Sequence, residues 1–417
     1  MDAWDQIEKF TKDDWFLSQV RFLKFRNSSS IRRLEIVIDP RCRSARLAAM
    51  QTFGIWLAIA AFAGAAVTDD FIMAARKNHG VVGEKAARFL VENMPAADKQ
   101  ALGTEFLMEN LDLAFKARET FSWAKEVPEE IFLNDVLPYA VFDEPRDPWR
   151  ADFLAKATPL VKEAKTATQA VQALNKEFFK LIKTHYHTGR KRTNQSPKES
   201  MEQGMATCTG LSILLVDACR AVGIPARAVG TPMWTNGRGN HTWVEIWDGG
   251  WHFMGADEFD AKGLNRGWFT GDAAKANPFE PMNAIYATSW KKDGLNFPLI
   301  WSDGESTVAA VNVTSRYAQK RSDAQPSLGI RLFHGDSRRV ARGSLVDESG
   351  QLVSEFETKA GTADLNDLAK VLVKPGVRYR LRFDIDGKPM ESVPFIAGTG
   401  ETTRDIRMNE LVPVPSP

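Results

Sequence analysis

The sequence predicts an α+β chain: helical through its first half, helix followed by strands in its centre, and all-β at its end. Three observations carry this. Apolar residues recur at helical spacing up to about residue 183, with Val171, Leu174, Phe178 and Ile182 on one face. Leu211, Leu214, Leu215, Ala218 and Val222 form a second stripe, and strand-like runs follow it. Beyond about residue 300, short β-rich runs alternate with turn signals, the pattern of a sandwich. The chain has 417 residues, which at ~150 per domain gives two or three domains. Hydrophobic residues make 44% and charged residues 26%, so it is neither wholly disordered nor polytopic in a membrane. With 54 Lys and Arg against 53 Asp and Glu, charge gives no warrant for a nucleic-acid partner.

Taken in order, residues 1–67 form an N-terminal extension. Its apolar run, 53–67, is preceded by Arg41, Arg43 and Arg46 and closed by Ala63, Gly64, Ala65 and Ala66, the three parts of a secretory signal. Either Met50 is the true start, or 47–67 is a membrane anchor. A buried core helix is the plainer alternative. Export is the preferred reading, with the arginines on the inner side and residues after 67 periplasmic or secreted.

Residues 68–295 form the next unit. Thr104 is placed to cap a helix carrying Phe106, Leu107, Leu111, Ala114 and Phe115. Pro128, Pro138, Pro145 and Pro148 break the stretch that follows into turns and short segments. After the Leu211 stripe, Gly223 and Pro225 stop the helix. Strands are expected at 226–229 and 242–247, the second joined through Asp248-Gly249-Gly250 to a third at 251–254. The β-sandwich is expected over 305–410, including the runs 308–313, 329–333, 379–385 and 393–396, and the Pro-rich tail 411–417 is expected to be disordered.

The chemistry concentrates at 201–260. Cys208 opens the apolar helix, where the positive end of the dipole favours a thiolate nucleophile. Cys219 lies inside the helix and reads as packing. Helical rise separates the two by ~16 Å, too far for a disulfide. No second ligand stands at zinc spacing from Cys208. His241 opens a strand whose alternation puts His241, Trp243 and Glu245 on one face, and it is the natural base. Asp257 or Glu258 would orient the imidazole. His185, His187 and His252 read as ordinary, while Trp234, Trp243 and Trp247 are candidates to wall a cleft.

These residues resemble the transglutaminase-like superfamily. Cys208 with its helix, Gly223-Ile224-Pro225-Ala226-Arg227, and His241-Thr242-Trp243-Val244-Glu245 are similar to its Cys, GIPAR and HxWxE signatures, in the order Cys, His, Asp. The resemblance implies a papain-like core, with the helix that carries the nucleophile packed on an antiparallel sheet, Cys208 as nucleophile, His241 as base and no cofactor. It also offers Gln203 as an oxyanion donor. Family members often carry the acid four residues after a Trp, and that position is Gly255 here. The role passes to Asp257, with Glu258 as runner-up. The implied activity is attack on peptide or carboxamide bonds of a protein or peptide substrate through a thioester, ending in hydrolysis or transamidation. A catalytically degenerate binding protein with the same fold is the alternative.

Overall fold

The structure is a computed structural model. It describes residues 23–28, 31–36 and 43–414 apart from 303–305, 319–325 and 399, with side chains from residue 67 onward. It divides into two compact units, residues 1–70 with 96–102 and residues 71–95 with 103–417. The first unit contains an antiparallel hairpin of Leu23–Ser28 with Ile31–Ile36, and the short helix Ala96–Ala101. The apolar run 53–67 falls within the helix Arg43–Asn93. All but its last residue lie outside the described side chains, and so does the export signal or anchor placed there. Among the described residues no helix is long and apolar enough to cross a membrane.

The second unit is built around the helix Cys208–Ala221, in which every residue after Cys208 is buried. Polar Ser212, Asp217 and Arg220 are buried with the apolar residues, so the helix is enclosed on every side. Here one side meets the strands Ala226–Thr231 and His241–Trp247, and others meet the helices Trp149–Val161 and Ala167–Ile182. The sheet has five antiparallel strands in the order Trp251–Met254, His241–Trp247, Ala226–Thr231, Tyr286–Thr288, Ala310–Asn312. The run at 308–313 therefore supplies the edge of this sheet and does not belong to the sandwich. Its partner Tyr286–Thr288 lies too far back in sequence for local pattern to reveal.

The proline-broken stretch before residue 150 is held by two buried arginines. Arg150 donates to the carbonyls of Val136, Pro138 and Arg220, and Arg220 donates to those of Asp135 and Ala140. Irregular buried backbone needs such partners. Gly103 takes the N-cap position of the helix Thr104–Thr120, one residue before the expected Thr104.

Sandwich strands begin at Ser327. One sheet centres on Ser327–His334, paired with Ser337–Arg338, Ala369–Leu372 and, in parallel, Thr402–Arg407. The other runs Leu352–Glu357, Arg342–Asp347, Arg378–Ile385, Lys388–Glu391, Val412–Pro413. Leu328, Ile330 and Leu332 from the first sheet and Leu345, Leu381 and Phe383 from the second share one core. Val412–Pro413 thus pairs as a strand where a disordered tail was expected, while 415–417 lie outside the described residues. Lys370 of the sandwich reaches Asp272 at 2.7 Å and ties the sandwich to the sheet-bearing core.

Behind the central sheet, Arg227 pairs with Glu245 at 2.6 Å, and both are almost fully buried. Tyr317 donates to Glu245 at 2.7 Å and accepts from the Trp243 indole at 3.0 Å. Removing one partner of a buried pair leaves an uncompensated charge. Arg227→Ala is expected to lower the free energy of urea unfolding by about 3 kcal/mol. A loss below ~1 kcal/mol would show that Arg316 and Tyr317 already satisfy Glu245.

Candidate active site

Local sequence positions the thiol. Ser196 and Glu199 form a reciprocal capping box at the helix Pro197–Gln203, with bonds of 3.2 and 3.1 Å. Gly204, at φ 64°, ends that helix in the left-handed region that glycine adopts without strain. Two extended residues then lead to Thr207, and Cys208 begins the buried helix. Next to it, Thr209 Oγ1 lies 3.1 Å from Thr242 Oγ1, a buried hydrogen bond between the residue after the thiol and the residue after the imidazole. This contact brings the head of the helix to the head of the His241 strand.

A sulfur of Cys208, a ring nitrogen of His241 and a carboxylate oxygen of Asp364 all lie within 4.8 Å of one another. They face a cleft of about 600 Å³, also lined by Trp268, Glu258 and Asp367. His241 is 1% exposed. Its ring packs 4.6 Å from Trp268, 4.9 Å from Phe269 and 5.7 Å from Trp243, measured between centroids. Nδ1 stands 3.5 Å from Asp364 Oδ2, close enough for ion pairing, though neither ring nitrogen makes a hydrogen bond. Burial alone would push His241 down, but Asp364 and then Cys208 more than offset it and raise the imidazole from 6.5 to about 10. Imidazolium is therefore the favoured form at neutral pH.

Asp364 sits on a sandwich loop with many anchors. Its Oδ1 accepts from the Asn366 N–H at 2.8 Å, and its carbonyl accepts from Arg338 at 2.9 Å. Leu365 N–H donates to Tyr186 Oη, and Asn366 donates to the carbonyl of Asn240 beside His241. The loop is thereby fixed over the thiol and the imidazole.

The structure places Asp257 away from the imidazole. That residue, at φ 62°, bonds His185 Nδ1 at 2.8 Å, and the carboxylate paired with His241 is Asp364. Gln203 is also drawn elsewhere: it accepts from Lys191 N–H and donates to the Glu199 carbonyl. Trp234 and Trp243 lie buried behind the imidazole, Trp247 packs on Trp251, and the indole on the cleft wall belongs to Trp268. His252 contacts Asn265, and Cys219 is a buried free thiol. Trp268 and Asp364 left no signal in the sequence, because both lie on irregular segments. The glycine at 255 did mark where an acid was missing.

Residues 155–258 match the model of the transglutaminase-like superfamily, so this stretch of the chain is similar to that family's core. No curated protein matches the chain. Among solved structures, the chain is similar to a protein from Cytophaga hutchinsonii described as a candidate cysteine protease. That likeness has 18% identity and a TM-score of 0.24, covering 39% of this chain and 52% of the other. It is also similar to red sea bream transglutaminase at 10% identity and a TM-score of 0.25, covering 70% and 60% respectively. The chain thus spans less than two thirds of either neighbour's length.

Thr209→Val would leave the Thr242 hydroxyl buried without its partner, at an expected cost of about 1–3 kcal/mol. Chemical denaturation should show that loss, and Thr209→Val combined with Thr242→Val should regain most of it. If the double variant is no more stable than the single, the hydroxyl pair does not join the two elements.

Proposed function

We propose that this chain is a cysteine acyl-transfer enzyme acting on peptide or carboxamide bonds of a protein or peptide substrate. The observation that carries the reading is the approach of the Cys208 sulfur to the His241 ring at the head of a buried helix, open to a cleft. In the proposed cycle, Sγ attacks the carbonyl carbon while the thiol proton resides on His241. Negative charge then develops on the carbonyl oxygen beside the first turn of the Cys208 helix, where backbone N–H groups have no carbonyl partner within the helix. The C–N bond breaks, imidazolium gives its proton to the departing amine, and a thioester remains on Cys208. Water attack releases a carboxylic acid; amine attack forms a new amide. Either outcome returns the thiol. Asp364 acts through His241 by holding charge beside the imidazolium, which makes it a positioning residue.

A second reading, a binding protein that keeps the fold without turnover, is favoured by one observation: position 255 carries no side chain. Screening residues 68–417 with peptide and glutamine-donor substrates separates the two. Cys208→Ala is expected to abolish release of ammonia or amine while changing unfolding free energy by less than about 0.5 kcal/mol. Wild-type turnover in that variant would end the acyl-enzyme reading.

The reading also places residues after 67 outside the cytosol, supported by Arg41, Arg43 and Arg46 ahead of the apolar run 53–67. Expressed at natural level, the protein is expected either to begin near residues 66–69 on N-terminal sequencing or to fractionate with membranes. A soluble cytosolic product beginning at Met1 would refute this placement.

A further inference from the structure

The strand Trp251–Met254 pairs with the His241 strand, and just beyond its end the chain turns sharply. Asn175, on the helix Ala167–Ile182, holds that turn twice. Its Nδ2 donates to the Gly255 carbonyl at 2.9 Å, and its Oδ1 accepts from the Asp257 N–H at 2.8 Å. Asp257 takes φ 62°, an uncommon conformation for a residue with a side chain. The result is that Glu258 folds back over Gly255. A β-carbon built on Gly255 would stand 2.0 Å from Glu258 Oε2 and 2.4 Å from its Cδ. The Glu258 carboxylate therefore occupies the volume in which a side chain at 255 would begin.

That carboxylate is oriented. Trp268 Nε1 donates to Oε1 at 3.0 Å, and the same indole packs 4.6 Å from the His241 ring. Glu258 and His241 line one cleft. Asp364, by contrast, arrives on a loop of the sandwich, whereas Glu258 follows directly from the strand hydrogen-bonded to the one carrying the base.

We propose that Glu258 is the sheet's own positioning carboxylate for His241, folded back over Gly255 to stand where an acidic side chain at 255 would stand. Its effect on turnover rests on the acyl-transfer reading above; its effect on the imidazole does not. Glycine at 255 is then a requirement of the arrangement, since any β-carbon there displaces the carboxylate. Burial lifts Glu258 to about 7, and the charge on His241 and the Trp268 bond hold it from rising further.

The test uses the full chain with histidine labelled for NMR and the His241 signal assigned by its loss in His241→Gln. Glu258→Gln is expected to lower the pH at which His241 gives up its proton, because a neighbouring negative charge is removed. It should also reduce kcat by about 10²–10⁴-fold with KM changed less than about twofold, as loss of an orienting carboxylate does. Gly255→Asp combined with Glu258→Gly returns a carboxylate to the same volume and also removes the Glu258 β-carbon, which would stand 3.0 Å from the new one. It should move the His241 titration back up and recover kcat by at least about tenfold. An unmoved His241 titration in Glu258→Gln would overturn the proposal. So would a double variant with native circular dichroism whose titration stays low. If the wild-type protein turns over nothing, the acyl-transfer reading fails, and the NMR comparison still decides the place of Glu258.

Discussion

The buried hydroxyl pair of Thr209 and Thr242 is the contact on which the site depends. A helix enclosed on all sides could slide along the sheet by a residue and still bury its apolar surface. A hydrogen bond cannot slide. Because Thr209 directly follows Cys208 and Thr242 directly follows His241, the pair holds sulfur and imidazole near each other. The opposite face of the same strand is held by Trp243, Glu245, Arg227 and Tyr317, so the strand is specified on both sides. Misplacement of a reacting group by even ~1 Å is costly to catalysis, so rigid elements suit such a pair better than loops.

Around that pair the protein gathers carboxylates. Asp364 stands by Nδ1, Glu258 is held by Trp268, and Asp367 lines the same cleft. Burial raises both Glu258 and Asp367, which marks their charged forms as poorly solvated. His241 rises despite being enclosed because Asp364, and after it Cys208, outweigh the cost of burial. In the proposed cycle this arrangement suits a base that must hold a proton until an amine leaves. Two of these acids, Asp364 and Asp367, come from the sandwich, so the second half of the chain contributes to the site itself.

Much of this was legible in the sequence wherever a local period governs structure. The apolar stripe Leu211, Leu214, Leu215 and Ala218 marked the helix after Cys208, although not the burial of its Asp217 and Arg220, and alternation placed His241, Trp243 and Glu245 on one face. The turn at Asp248-Gly249-Gly250 joined the strands it was expected to join. Long-range partners were not legible. Ala310–Asn312 reads as a short β run like those after it, and only its pairing with Tyr286–Thr288 assigns it to the central sheet. Asp364 lies in an irregular loop with no period to mark it, yet its carboxylate is the one beside His241. Asp257 had the right position along the chain but, through the turn pinned by Asn175, faces His185.

The central claim is that Cys208 and His241 form one reacting pair, and selective alkylation tests it most directly. Iodoacetamide at neutral pH, with modified sites mapped by mass spectrometry, should label Cys208 rapidly and leave Cys219 untouched. His241→Ala should slow Cys208 labelling by at least about tenfold, because the partner that holds its proton is gone. Equal labelling of the two cysteines, or a Cys208 rate indifferent to His241→Ala, would contradict the account.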